Sequence, residues 1–314
     1  MRPHAIRAMI LRCAAAIIAP LLLIGLAGCS DAPGGSDPER PAPSPLLYEL
    51  VSADGTVEGW MFGTIHALPD GIDWRTPAID GVIDAADLLV VEVGGLNRRD
   101  DRRSIYESLA QSPGHPPLAE RVPAELRPQL AALIDRSGLD TRDFSGEETW
   151  AVALALARVG ATGNPANGVD AALIDDFSGK RPVRELEGLR GQLSIFDRLP
   201  ETQQRSMLAA VVRENAEGGK DPERLLRAWL TGDAAAIEAS TREGFLADPA
   251  TREALLTGRN RRWVAALVPM LGEASRPLIA VGTAHLVGPD GLVALLEAQG
   301  YRVRPIPTAA RPAP

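Results

Sequence analysis

The chain has 314 residues, a formal charge of −8 at pH 7 and two cysteines, Cys13 and Cys29. The acidic balance argues against nucleic acid as a partner. Beyond Cys29 the cysteine count excludes disulfides, thiolate metal sites and a cysteine nucleophile, and the length suffices for one large domain or a domain with a helical insertion.

The first element reads as an export signal. Arg2, Arg7 and Arg12 are the only charges before Asp31, and an apolar run follows from Ala14 to Ala27. The run suits a signal-peptide core and falls short of the ~20 apolar residues that a spanning helix needs. It closes on Leu26-Ala27-Gly28-Cys29, which reads as a lipobox. Residues 1–28 are therefore expected to be removed and Cys29 to carry diacylglycerol; an ordinary signal peptide or a short membrane anchor is the competing reading. Loss of the three arginines would take the charge from −8 to −11. Residues 29–45, rich in Pro, Gly and Ser, read as a flexible tether. The expectation is a bacterial envelope lipoprotein facing the periplasm, with Ser30 favouring the outer membrane and Asp31 weighing against it.

Short β-like runs follow at Leu46–Val51, Gly59–Phe62, Leu88–Val93, Pro182–Leu186, Pro277–Val281 and Tyr301–Ile306. Helical patterns fill the gaps. Pro77–Ala86 leads into the third run, and Ser145 with Glu148 reads as a capping box for a helix to Arg158. Val169–Phe177 is helical, and 199–271 is almost continuous helix with breaks at Gly218-Gly219, Gly232 and Asp248-Pro249. The fold class expected is α/β of the mixed α+β kind: a central sheet from N- and C-terminal strands with a large helical block between them, over residues 46–307. Residues 308–314 read as a disordered tail.

Chemistry concentrates in a repeated device. Gly63-Thr64-Ile65-His66 is followed by Pro69-Asp70-Gly71, and Gly282-Thr283-Ala284-His285 by Pro289-Asp290-Gly291. Each follows an apolar strand, and open α/β sheets place ligands at strand carboxyl ends. Gly63 and Gly282 permit close approach of backbone or ligand there. Glu92 ends another buried-looking strand, where an unpaired charge is costly. His66, Glu92 and His285 could hold a divalent ion with open positions, or work as acid and base without one. His115, in a turn-rich loop, reads as exposed and structural.

On the helix Arg252–Leu271, Arg259 and Asn260 share or border the apolar face of Leu256, Trp263, Leu267 and Leu271. A guanidinium there needs a strand-end carboxylate, a substrate oxyanion or a structural acidic partner. Asp170 is best explained as a helix cap, and of Glu185 and Glu187 at most one points inward. HExxH, GxSxG, P-loop and GxGxxG patterns are absent from the sequence.

The paired GxxH motifs, Glu92, the Arg259-Asn260-x-x-Trp263 helix and the closing VGTAHLVGPDGLVALLEAQGYRV resemble the TraB/GumN family from about Leu46 to Ile306. Relatives include the Tiki proteases, divalent-metal-dependent peptidases that inactivate Wnt proteins. More distant similarity extends to erythromycin esterases and haem-binding ChaN lipoproteins. The resemblance implies His66, Glu92 and His285 as active-site residues, with Arg259 and Asn260 matching the family's RN pair. The expected activity is hydrolysis of peptide or ester bonds with Mn²⁺, Co²⁺ or Zn²⁺ on His66 and His285, and with Glu92 as third ligand or as general base for the metal-bound water. In that reading Arg259 steadies the oxyanion and Asn260 orients a neighbouring group. The alternative is a non-catalytic lipoprotein that binds haem, a metal or a glycan.

Overall fold

The computed structural model describes residues 41–94, 99–161, 163–216 and 223–308. The expected signal, Cys29 and most of the tether, the Gly218-Gly219 break and the chain after Thr308 lie outside the described residues.

Each expected β-like run overlaps a strand: β1 (Leu47–Val51), β2 (Val57–Thr64), β3 (Leu88–Val91), β4 (Val183–Glu185), β5 (Pro277–Gly282) and β6 (Arg302–Pro305). They form one sheet in the order β4-β3-β5-β2-β1-β6. β4, β3, β5 and β2 run parallel, while β1 pairs antiparallel with β2 and β6. The mixed α/β class expected from the sequence is what forms.

The helices up to β4 are α1 (Pro77–Ala85), α2 (Arg99–Ala110), α3 (Arg127–Ser137), α4 (Thr149–Ala157) and α5 (Val169–Phe177). Those after it are α6 (Gly188–Asp197), α7 (Glu201–Ala216), α8 (Glu223–Thr231), α9 (Ala234–Ser240), α10 (Pro249–Arg252), α11 (Gly258–Leu271) and α12 (Leu292–Ala298).

Strand alternation decides which helices cover which face. Phe62, Leu89, Val91, Leu278 and Ala280 pack with residues of α1, α5 and α8. Met61, Leu88, Val90, Ile279 and Val281 pack with residues of α11 and α12. β3 and β5 are buried throughout, as parallel strands covered on both faces must be. A third core, around Leu133, Trp150, Leu208 and Val211, holds the helical block together. Burying each such side chain contributes roughly 1.5–3 kcal/mol.

Three local expectations are corrected. No capping box forms at Ser145: α4 starts at Thr149, and Glu148 at its N-cap makes no capping bond. The Glu148 carboxylate accepts instead from the Ser112 hydroxyl, which also bonds His115, so a tertiary contact has displaced the local one. The helix expected over Arg252–Leu271 is interrupted, since α10 passes through a π-helical stretch, Glu253–Thr257, into α11. Thr308, expected in the tail, is buried; its hydroxyl bonds the Pro45 carbonyl (2.9 Å) and Ser44 (3.3 Å), tying the two ends of the domain together. Among the described residues no helix is long and apolar enough to cross a membrane.

Candidate active site

Parallel pairing fixes where the strands end. Thr64 of β2 lies opposite Gly282 of β5, and Val91 of β3 opposite Ala280. The carboxyl ends of three neighbouring strands therefore share one sheet edge. His66 leaves the end of β2, Glu92 follows β3 directly, and His285 sits on the 3-10 turn Thr283–His285 after β5.

The three converge on Gly282. A Cβ there would lie 3.3 Å from both Glu92 Oε1 and His66 Nε2, and 3.8 Å from His285 Cδ2. Because residue 282 has no side chain, these groups can approach its backbone this closely. The Gly282 N–H also donates to Glu92 Oε1 at 2.9 Å. Gly63 serves differently: a Cβ on it would strike Thr283 Oγ1 at 2.5 Å, so its bareness lets the two motifs pack against each other.

Beside these groups is a buried polar network centred on Arg259. Its Nε donates to both oxygens of Glu187 (3.0 and 3.1 Å). Nη2 donates to Glu92 Oε2 (2.7 Å) and Glu187 Oε2 (2.8 Å), and Nη1 to the Leu255 carbonyl (3.0 Å) and His285 Nε2 (3.2 Å). All the N–H groups of the guanidinium are thus engaged. None is left for a substrate oxyanion, which corrects the role expected of Arg259; it positions its neighbours. The π-helical stretch contributes here, because it carries the Leu255 carbonyl that Arg259 meets.

Asn260 bonds two groups of the second motif. Its Nδ2 donates to the Asp290 carbonyl (2.7 Å), which turns Oδ1 toward His285 Nδ1–H at 2.5 Å. With Nδ1 protonated, His285 Nε2 is the acceptor of the Arg259 bond, and both ring nitrogens are used. Trp263 stacks obliquely on this ring, with centroids 4.3 Å apart, and donates its Nε1–H to Glu187.

His66 is held from the other side. Its Nδ1–H donates to Asp170 Oδ2 at 2.6 Å, and the Thr64 hydroxyl donates to Asp170 Oδ1 at 2.8 Å. Asp170, explained from sequence as a helix cap, is spent on these two groups instead. The side chain of His66 is 15% exposed, against 5% for Glu92 and 2% for His285. His66 is the most exposed of the three.

The charges follow from these contacts. Burial by itself would depress the His66 imidazolium, but the Asp170 and Glu92 carboxylates overcome it and raise the group to about 9. Burial would likewise raise Glu92, yet Arg259 and the two histidines hold it down at about 2. For His285 burial prevails, seconded by Arg259, and the group falls to about 3 despite Glu92. Near neutrality the trio is therefore a charged His66, an ionised Glu92 and a neutral His285.

The expected ion requires three lone pairs aimed at one point. Glu92 Oε1 and His66 Nε2 converge on Gly282, but the His285 Nε2 lone pair is taken by Arg259, and the guanidinium already neutralises Glu92. Among the described residues no group of three His, Cys, Asp or Glu is arranged to hold a metal ion. The donor set does not fit a three-ligand ion.

Three site residues were missed or left undecided by sequence reasoning. Asp170 was attributed to capping. Glu187 was paired with Glu185 without a choice; Glu187 turns inward to Arg259 while Glu185 is exposed. Gln192 carried no signal in the sequence beyond its place in α6, yet its Nε2 donates to Glu92 Oε2 at 3.0 Å.

Fold and site together define a class: mixed α/β proteins that gather two histidines and a glutamate from aligned strand ends around a bare glycine. The chain belongs to the TraB/PrgY/gumN family, whose sequence pattern matches residues 47–305. No curated protein and no solved structure gives a significant match.

Proposed function

We propose that this chain is a hydrolase of peptide or ester bonds that works by acid–base chemistry at His66 and Glu92. The observation carrying the proposal is the convergence of Glu92 Oε1 and His66 Nε2 on Gly282, each 3.3 Å from where a Cβ would lie. Groups whose environments drive their proton affinities apart are the natural acid and base of a site. A water at that point gives its proton to Glu92 as its oxygen attacks the substrate carbonyl carbon. His66 Nε2–H gives its proton to the departing amine or alkoxide, and transfer from Glu92 back to His66 resets the pair. Asp170 keeps Nε2 aimed at the reacting atoms, while Arg259, Asn260 and Gln192 fix Glu92 and His285.

The test is a peptidase and esterase screen of purified protein beside His66→Ala, with and without a chelator. Turnover that His66→Ala abolishes and chelation spares supports the proposal. Turnover lost on chelation and restored by Mn²⁺, Co²⁺ or Zn²⁺ would replace it with the metal-assisted reading. Tight haem or glycan binding with no turnover would favour a binding protein.

We further propose that the domain works in the cell envelope, tethered by lipid on Cys29 after removal of residues 1–28. Mass spectrometry of the membrane-associated protein that finds residues 1–28 retained, or Cys29 without lipid, would overturn this.

A further inference from the structure

We infer that Gln192 binds substrate, its side-chain oxygen accepting an N–H carried beside the scissile carbonyl. The inference rests on the hydrolase reading above and adds a specificity residue to it.

Gln192 lies in α6, and its side chain turns inward, 4% exposed. Its Nε2 donates to Glu92 Oε2 at 3.0 Å, and the same oxygen accepts from Arg259 Nη2 at 2.7 Å. An ionised carboxylate only accepts hydrogen bonds, so the amide cannot be turned end for end. Glu92 therefore dictates where Oε1 goes. That oxygen is buried and has no hydrogen-bond partner among the described residues. A buried amide oxygen left unpaired is uncommon and calls for a partner from outside the protein chain.

Other unpaired buried atoms sit elsewhere. The Thr283 hydroxyl lies against Gly63, between the two motifs, and Gln129 Oε1 is on α3 of the helical block. Gln192 alone among these three is hydrogen-bonded to the proposed base. One oxygen of Glu92 faces Gly282 and the other holds the Gln192 amide. The group that meets Gln192 Oε1 is thus fixed relative to the attacking water. It must be a donor: an amide N–H qualifies, and an ester oxygen does not.

The experiment pairs a protein change with a substrate change, so that any disturbance of Glu92 cancels. Acetylated octapeptide amides are offered as a mixed library, and cleavage is mapped by mass spectrometry. The best-cleaved peptide is then compared with depsipeptide twins in which one non-scissile N–H near the cut becomes an ester oxygen. Both are measured for cleavage and for binding by calorimetry, with wild type and Gln192→Met. Wild type is expected to favour the N–H form at one position by about tenfold or more, the scale of leaving a buried acceptor unpaired. Gln192→Met should bring that ratio to within about twofold. An equal N–H preference in both proteins, or none in wild type, overturns the inference and leaves the hydrolase reading standing. Peptides bound with the Gln192-dependent preference but never cut would sink the hydrolase reading and retain Gln192 as a binding residue. Peptides neither bound nor cut overturn both.

Discussion

In the first Gly-Thr-x-His turn the threonine hydroxyl and the imidazole both donate to one carboxylate, Asp170. In the second the imidazole donates to the amide oxygen of Asn260, while its threonine hydroxyl has no partner among the described residues. Nearly identical motifs thus hold one histidine charged, raised to about 9, and the other neutral, lowered to about 3. The difference comes from the helices behind them. α5 brings an acid to the first ring; α11 brings an amide and a guanidinium to the second. The strand-end motif delivers an imidazole, and the covering helix decides its proton.

The largest predicted effects separate the two histidines. His66→Ala should remove roughly 10²–10⁴-fold of turnover, the usual contribution of a positioned acid or base, and it should also lower the denaturation midpoint, because it leaves the buried Asp170 carboxylate without its imidazolium partner. His285→Ala should act mainly on stability. It strips partners from Arg259 Nη1 and Asn260 Oδ1 inside the core, at about 1–3 kcal/mol for each buried group left unpaired. Equal loss of turnover in both variants would erase the distinction.

The glycines should divide in the same way. Gly282→Ala puts a methyl 3.3 Å from both Glu92 Oε1 and His66 Nε2, where it would crowd out the attacking water, and turnover should fall about a hundredfold or more. Gly63→Ala drives a methyl into Thr283, 2.5 Å from its hydroxyl oxygen, so its cost should appear in the unfolding midpoint, on the order of 1–3 kcal/mol for an overpacked core. Turnover of the folded Gly282→Ala protein above a tenth of wild type would show that this is not where water works.

Stability against pH offers a gentler comparison. His66, raised from 6.5 to about 9, stabilises fully below 6.5, and its contribution fades as pH climbs through 9. His285, lowered from 6.5 to about 3, contributes above 6.5, and that is lost as pH falls toward 3. Urea denaturation should show a maximum near pH 6.5 from this pair. His66→Ala should flatten the alkaline limb alone. An alkaline limb that persists unchanged in that variant would mean the ring is not charged at neutrality.

Much of this architecture was legible from sequence because its signals are local. Each run of alternating or continuous apolar residues became a strand, and the doubled Gly-Thr-x-His device marked the sheet edge where His66, Glu92 and His285 meet. What escaped was pairing across long separations. Asp170 sits 104 residues from His66 and Glu187 72 from Arg259, and a carboxylate near a helix start reads locally as a cap. The π-helical stretch escaped too, since its register shift serves the tertiary contact of Arg259 with the Leu255 carbonyl rather than any periodicity of its own. Arg259 was recognised as needing a partner, but only the fold reveals that its donors are already spent.

The smallest predicted effects test the same contrast at the threonines. Thr64 and Thr283 are both buried, at 1% and 4% exposure, and valine has nearly their shape. Replacing Thr64 removes a donor to Asp170, so Thr64→Val leaves an oxygen of that carboxylate short of a partner, at about 1 kcal/mol or somewhat more. His66 feels the change, because Asp170, less engaged by the hydroxyl, binds the imidazolium more tightly. The histidine titration followed by NMR should move upward. Thr283→Val exchanges a buried hydroxyl without a partner for a methyl, so stability should hold or rise by a few tenths of a kcal/mol. A Thr283→Val protein as destabilised as Thr64→Val would reveal a bonded hydroxyl in the second turn, and the two turns would then be closer in construction than their histidines suggest.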